Sequence, residues 1–203
     1  MNELRSFELY LMGLMRGRAK IDSTLRSIGI SASTMREAAR RMSSAVGFLD
    51  LVARPLDSYI RILGTPRETI PEPGIGPDGA FDGSQRHRFP VPLWPNFDLI
   101  LRTHPDGWVW GPEFVRRSGA SVPAVKHARN LEPWSIVESE VITRFGPFAS
   151  ADSWNLGMDA TYVVEEADGR LEIALVFDLA LLQSVHVAFI NPNPPPLSPA
   201  SPR

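Results

Sequence analysis

Nineteen prolines in 203 residues constrain this chain more than any other feature, because they are unevenly spread. Proline fixes φ and lacks a backbone N–H, so helices and central strands must run between its clusters. Pro66, Pro71, Pro73, Pro77, Pro90, Pro92 and Pro95 are interleaved with Gly64, Gly74, Gly76, Gly79 and Gly83. No hydrophobic period survives there, so residues 64–95 read as a long loop or linker, a length uncommon inside one compact unit. A second cluster, Pro192, Pro194, Pro195 and Pro196 with the Ser/Pro-rich end, reads as an extended tail over 191–203. The expected organisation is a helical segment (1–63), a linker (64–95), a β-rich unit (96–190) and the tail.

Within that frame the pattern predicts an α+β fold. Leu4, Phe7, Leu11 and Leu14 recur at helical spacing, predicting a helix over residues 3–19 that ends in Arg16, Arg18 and Lys20. Asp22 suits the N-cap of a short helix through Ile28, with Gly29 as terminator. A third helix begins near Ser33 or Thr34, where Thr34 and Glu37 have capping-box spacing. It carries Met35, Ala38, Ala39, Met42 and Val46 on one side. Residues 48–63 fit either a continued helix or a hairpin around Pro55-Leu56-Asp57-Ser58. The C-terminal half alternates as antiparallel strands at 97–102, 108–110, 137–145, 161–165, 171–177 and 185–190. Asp168-Gly169 is its strongest hairpin turn. Between these strands lies one helical pair, residues 112–131, interrupted at Gly119.

The absence of cysteine excludes disulfides, thiolate metal sites and thiol nucleophiles, and points to a reducing, cytoplasmic compartment. Glu3, Arg5 and Glu8 precede any apolar run, unlike a signal peptide. The apolar stretch from Leu179 to Ile190 is too short and too polar for a transmembrane segment. Net charge is −2 but lopsided: residues 1–63 hold ten Arg or Lys against six acids, and residues 96–202 hold seven against thirteen. Such a split suits an anionic partner for the basic segment, or two parts of one fold that attract each other.

Two stretches share a spacing. Residues 24–42, TLRSIGISASTMREAARRM, and residues 114–131, FVRRSGASVPAVKHARNL, each place Gly, a small or apolar residue and Ser before a basic helix-like run. Gly29, Ile30, Ser31, Thr34, Met35 and Arg36 correspond to Gly119, Ala120, Ser121, Ala124, Val125 and Lys126. This resembles the helix-turn-helix of DNA-binding proteins, including winged-helix proteins, over about 20 residues at each copy. The resemblance implies a left-handed Gly, an apolar plug and a Ser cap on the second helix. It would aim Ser33, Thr34, Arg36, Glu37, Arg40 and Arg41 at duplex DNA, and Lys126, His127, Arg129 and Asn130 in the second copy. Leu25 and Val115 depart from the motif, which usually has Ala there. An ordinary helical hairpin with a Gly C-cap and a Ser N-cap accounts for the same spacing.

No other constellation points to chemistry or to a cofactor. The histidines have no metal-ligand spacing, and no phosphate loop, dinucleotide fingerprint or nucleophile elbow is present. His87 lies in Arg86-His87-Arg88, a solvated basic turn of the linker. His104 and Asp106 share a turn that Asp106 and Gly107 suffice to stabilise. Glu138 and Glu140 share a strand face with Arg144. Trp108 and Trp110 share a strand face, and Trp94, Trp134 and Trp154 lie in or beside loops. Two functional expectations follow. One is a sequence-specific DNA-binding regulator whose β-rich half dimerises or senses a ligand. The other is a non-catalytic, self-assembling structural protein, such as a virion or matrix subunit, with a protein partner for the Pro-rich tail.

Overall fold

The computed structural model describes residues 1–46, 54–72, 83–154, 156–166 and 169–190. The fold is α+β, with helices gathered in the N-terminal part and two antiparallel sheets following. Residues 47–53, where the helix-or-hairpin alternative begins, and the tail at 191–203 lie outside the described residues.

Helix α1 (Glu3–Leu14) starts on Asn2, whose side chain accepts the Arg5 N–H at 2.8 Å. Every residue from Ser6 to Met12 is buried, so α1 is covered on all sides rather than along one stripe. The helix expected to reach residue 19 stops at Met15, whose backbone is extended (ψ 149). Tertiary contacts end it. The Arg16 N–H and Nε donate to the two oxygens of buried Asp178 at 2.7 and 2.8 Å. A Cβ on Gly17 would lie 2.9 Å from the Gln183 side chain. Arg16 also reaches Asp159 at 2.9 Å and stacks on Trp154 at 4.5 Å. The basic N-terminal part thus docks on the acidic strands through one arginine.

Helix α2 (Arg18–Ser27) follows, with Asp22 inside it rather than at its cap. Helix α3 (Ala32–Val46) packs on α1, where a Cβ on Gly13 would sit 3.4 Å from the Ala39 Cβ. The expected Thr34–Glu37 capping box does not form. Glu37 instead pairs with Arg40, and Ser31 supplies the cap. Strand β1 (Arg54–Pro55) leads into helix α4 (Leu56–Leu63), so Tyr59–Leu63 is helical and not the arm of a hairpin.

The Pro/Gly-rich stretch is not a plain linker. It contributes strands β2 (Glu68–Pro71) and β3 (Gln85–Pro90). With β4 (Phe97–Thr103) and β5 (Trp108–Arg116) they form a five-stranded sheet of order β1-β5-β4-β3-β2. Its prolines sit where the ladder tolerates them: Pro71 and Pro90 end strands, and β2 is an edge. His87 is accordingly no solvated turn residue but a buried bridge. Its Nδ1 lies 3.0 Å from the Thr69 hydroxyl and its Nε2 lies 3.1 Å from the Thr103 hydroxyl. Burial holds the imidazole below its ordinary pKa.

The expected helical pair over 112–131 is absent. Residues up to Arg116 belong to β5, residues 117–127 are irregular, and only a 3₁₀ turn (Ala128–Asn130) follows. The strand expected at 137–145 is helix α5 (Glu138–Phe145). Val137, Val141 and Phe145 are four apart, so they fit a helical face as well as an alternating one. The acidic first turn and Arg144 in the last turn complement the helix dipole. Strands β6 (Ser150–Trp154), β7 (Gly157–Glu166), β8 (Gly169–Asp178) and β9 (Leu181–Ile190) then form a four-stranded meander. The pairing of β7 with β8 runs to Glu166 opposite Gly169, and the turn expected at Asp168-Gly169 falls partly outside the described residues, at Asp168.

Two cores result. The larger joins α1–α4 to the five-stranded sheet and reaches Leu179 and Leu181, and the smaller lies between α5 and the meander. The β8–β9 turn connects them. Leu179 and Ala180 both have positive φ (52 and 63), costly for residues with a Cβ. Three hydrogen bonds, to Leu156, Phe114 and Glu138, hold this turn in place.

Candidate nucleic-acid interface

The first motif copy is a helix–turn–helix in the literal sense. Helix α2 ends in Ile28-Gly29-Ile30 with Gly29 at φ +68. The Ile30 N–H donates to the Leu25 carbonyl at 3.0 Å and the Gly29 N–H to Arg26 at 3.2 Å, which is the Schellman pattern. Ile30 packs against the larger core, as the plug position requires. Ser31 Oγ accepts the Thr34 N–H at 3.1 Å and lies within 2.9 Å of the Ser33 and Thr34 hydroxyls. Gly29, Ile30 and Ser31 thus form a capped turn between two helices.

Helix α3 then divides cleanly. Met35, Ala38, Ala39 and Met42 face the core. Ser33, Thr34, Arg36, Arg40 and Arg41 are all exposed. Glu37 lies among them, 2.8 Å from Arg40 and 3.8 Å from Arg41. Arg36 has no ion-pair partner among the described residues. Exposed pairs of this kind are worth about 0.2–1 kcal/mol, so phosphate could displace Glu37 at small cost. Arg18, Lys20 and Arg26 of α2 are exposed as well.

The second copy shares only its glycine geometry. Gly119 has φ +82, but Lys126 lies in an exposed bend and Arg129 in the 3₁₀ turn, so no second helix presents them. Lys126 and Arg129 are not brought to the surface formed by α3 into one recognition element.

Asp106 accepts the Trp108 N–H at 3.2 Å, and the His104 ring lies tilted beside Trp110 with centroids 5.8 Å apart. Glu140 takes both Arg116 nitrogens at 2.8 and 2.7 Å. Glu138 lies instead in the first turn of α5 beside Glu113, and burial with that like charge raises its pKa. Trp154 is exposed in the same small cleft. Among the described residues, no group of three or more His, Asp or Glu is placed to hold a metal ion. Among them also, no helix is long and apolar enough to cross a membrane.

Sequence reasoning missed one surface, the outer edge of β9. Its first residues are covered by the chain at Trp134–Val137, through hydrogen bonds to Leu182. Beyond Gln183 that edge has no backbone partner among the described residues. No acid, Lys or Arg lies between Asp178 and Ile190, and Val187 and Phe189 are 49% and 57% exposed. The signal was available as an uncharged strand where edges usually carry charge or proline. No family model, curated protein or solved structure matches the chain.

Proposed function

We propose that the chain is a sequence-specific DNA-binding regulator that inserts α3 into the major groove. The observation that carries the reading is the outward face of α3, where Ser33, Thr34, Arg36, Arg40 and Arg41 are exposed together behind a capped turn. Arginine forks read guanine edges and bind phosphate, and the short hydroxyls suit backbone contacts near the helix start. Two copies paired along β9 would present two such helices, as operator-binding dimers do. The test is fluorescence anisotropy of a mixed-sequence duplex against the protein at rising salt. Binding at low salt should weaken with a log–log slope of about 3 from the three arginines. Absence of binding at low salt refutes the proposal.

The uncharged β9 edge, unpaired beyond Gln183 among the described residues and carrying exposed Val187 and Phe189, also favours a second reading, a non-catalytic self-assembling protein. Light scattering on the purified chain decides it. A strict monomer at high concentration contradicts assembly through β9, while higher oligomers without DNA affinity favour this reading over the regulator.

A further inference from the structure

A strand at the edge of a sheet can take on a strand from another chain, and natural sequences guard such edges with charge or proline. Among the described residues the edges are β1, β2, β6 and β9. β1 is Arg54–Pro55, β2 holds Glu68 and Pro71, and β6 holds Asp152. β9 alone has neither a proline nor a Lys, Arg, Asp or Glu.

The open part of this edge has defined ends. Leu182 donates to the Ile136 carbonyl at 3.1 Å and accepts the Trp134 N–H at 2.8 Å, and Gln183 is buried. Residues 184–190 follow, with no backbone partner on their outer side among the described residues.

The register with β8 fixes which side chains share a face. Val185, Val187 and Phe189 lie opposite Leu175, Ile173 and Leu171, so they continue the face that carries the smaller core. Those three β8 residues are buried and Val185 packs on that core, whereas Val187 and Phe189 are exposed. The apolar face thus runs out to the sheet edge, past the side chains that cover its centre.

We propose that a second copy of this chain pairs with the edge, antiparallel, about a two-fold axis at Val187. Such an axis sets residue 184 opposite 190, 185 opposite 189 and 186 opposite 188, so the whole open stretch is used and no covered residue has to move. On the core face Val185 meets Phe189 and Val187 meets Val187, and each copy supplies the apolar neighbours the other lacks. An edge without charge opposes no like charges when it meets itself, while an edge made for a different chain gains specificity from opposite charges. The pairing consumes β9 of both copies, so the assembly closes as a dimer. It rests on the dimeric regulator proposed above and gives that dimer its interface.

The chain has no cysteine, so one introduced thiol reports the register without competition. Light scattering of the full chain without DNA should give a dimer and nothing larger. Val187→Cys should become a covalent dimer on mild oxidation, because directly opposite Cβ atoms lie about 4.5–5.5 Å apart, a small shift from disulfide geometry. Val185→Cys alone should not, its two copies being roughly 13 Å apart along the strands, but mixed with Phe189→Cys it should. Val187→Lys sets like charges at the axis and should weaken dimerisation about tenfold or more, with an unchanged circular dichroism spectrum. The thiol variants keep the register testable if Val187→Lys does not fold. A strict monomer at high concentration, larger oligomers, equal cross-linking of Val185→Cys and Val187→Cys, or a folded Val187→Lys that dimerises as tightly as the unaltered chain overturns the proposal. Duplex anisotropy separates the two claims: a dimer without DNA affinity overturns the regulator alone, and a DNA-binding monomer overturns this pairing alone.

Discussion

Residues 24–42 and 114–131 share a spacing and fold differently. In both, the glycine takes the left-handed region, φ +68 at Gly29 and φ +82 at Gly119. The flanks decide the rest. Before Gly29 the chain is the helical run of α2, and after it come Ala, Met, Arg and Glu, all good helix formers. Before Gly119 stand Trp108–Arg116, which pair with β4 from Phe97 to Thr103. After it Val122 precedes Pro123, and a β-branched residue before proline is pushed away from helical ψ. A turn signature therefore predicts a turn, and only the propensity on either side predicts what the turn connects.

Both copies are entered through an arginine held by a buried aspartate, and breaking these grips gives the largest expected effects. Arg16 is held by Asp178, and Arg117 donates to Asp98 at 3.0 Å. Asp178→Ala and Asp98→Ala should each destabilise by about 2–3 kcal/mol, the arginines being partly exposed and so short of the full cost of a broken buried pair. Urea denaturation measures this. A loss below about 0.5 kcal/mol in either variant would place it among ordinary surface substitutions and remove that grip from the account.

The two glycines sharpen the comparison at the next level. Each has open space where a Cβ would go, so only the backbone conformation opposes a side chain. Gly29→Ala and Gly119→Ala should cost about the same, roughly 1 kcal/mol each in thermal or urea unfolding. Only Gly29→Ala should also weaken DNA binding. Equal losses of DNA affinity in the two variants would break the asymmetry between the copies.

A third contrast concerns the Pro/Gly-rich stretch and its buried histidine. His87 has a lowered pKa in the folded protein because burial disfavours the imidazolium. The unfolded chain therefore binds the proton more readily, so this contribution is full above the ordinary imidazole value of 6.5 and is lost as pH falls below it. The opposite slope comes from Glu8 and Asp178, whose pKa values are raised mainly by burial and which therefore favour acid. His87→Gln should flatten the stability curve between neutral pH and mild acid. An unchanged slope in that window would show that His87 does not govern it.

The smallest effect returns to α3. Glu37 neutralises Arg40 and Arg41 across exposed pairs, and its own charge would repel phosphate. Glu37→Gln should tighten DNA binding by about two- to fivefold, in keeping with the modest value of surface pairs. Weaker binding in this variant would mean that Glu37 reads a base or holds α3 in place.

How much of this was legible follows from which forces act locally. The α+β class, the Schellman turn at Gly29, the Ser31 cap and the antiparallel pairing of β7 with β8 depend on near neighbours, and residue types announce them. The break at Arg16 was not legible, because its partners Asp178 and Gln183 lie more than 160 residues away. Strands β2 and β3 were hidden by prolines that occupy strand ends, where a missing N–H costs nothing. Over α5 the sequence fits a strand as well as a helix, because Val137, Val141 and Phe145 satisfy both periods. Of the candidate site, Ser33, Thr34, Arg36, Arg40 and Arg41 share one exposed face, while Lys126 and Arg129 do not join a recognition helix. The uncharged run of β9 is plain in the sequence, but its place at a sheet edge is a property of packing, visible only once the chain is folded.

The most direct measurement sets the two copies against each other on DNA. Arg36→Ala/Arg40→Ala/Arg41→Ala and Lys126→Ala/Arg129→Ala are titrated against one duplex across a salt series, beside the unaltered chain. The triple variant should lose about a hundredfold or more in affinity and most of the salt slope, since each arginine carries about 1–3 kcal/mol or one phosphate contact. The double variant should stay within about twofold, the range of a surface change away from the interface. Equal losses in both variants, or none in the triple variant, would contradict recognition through α3.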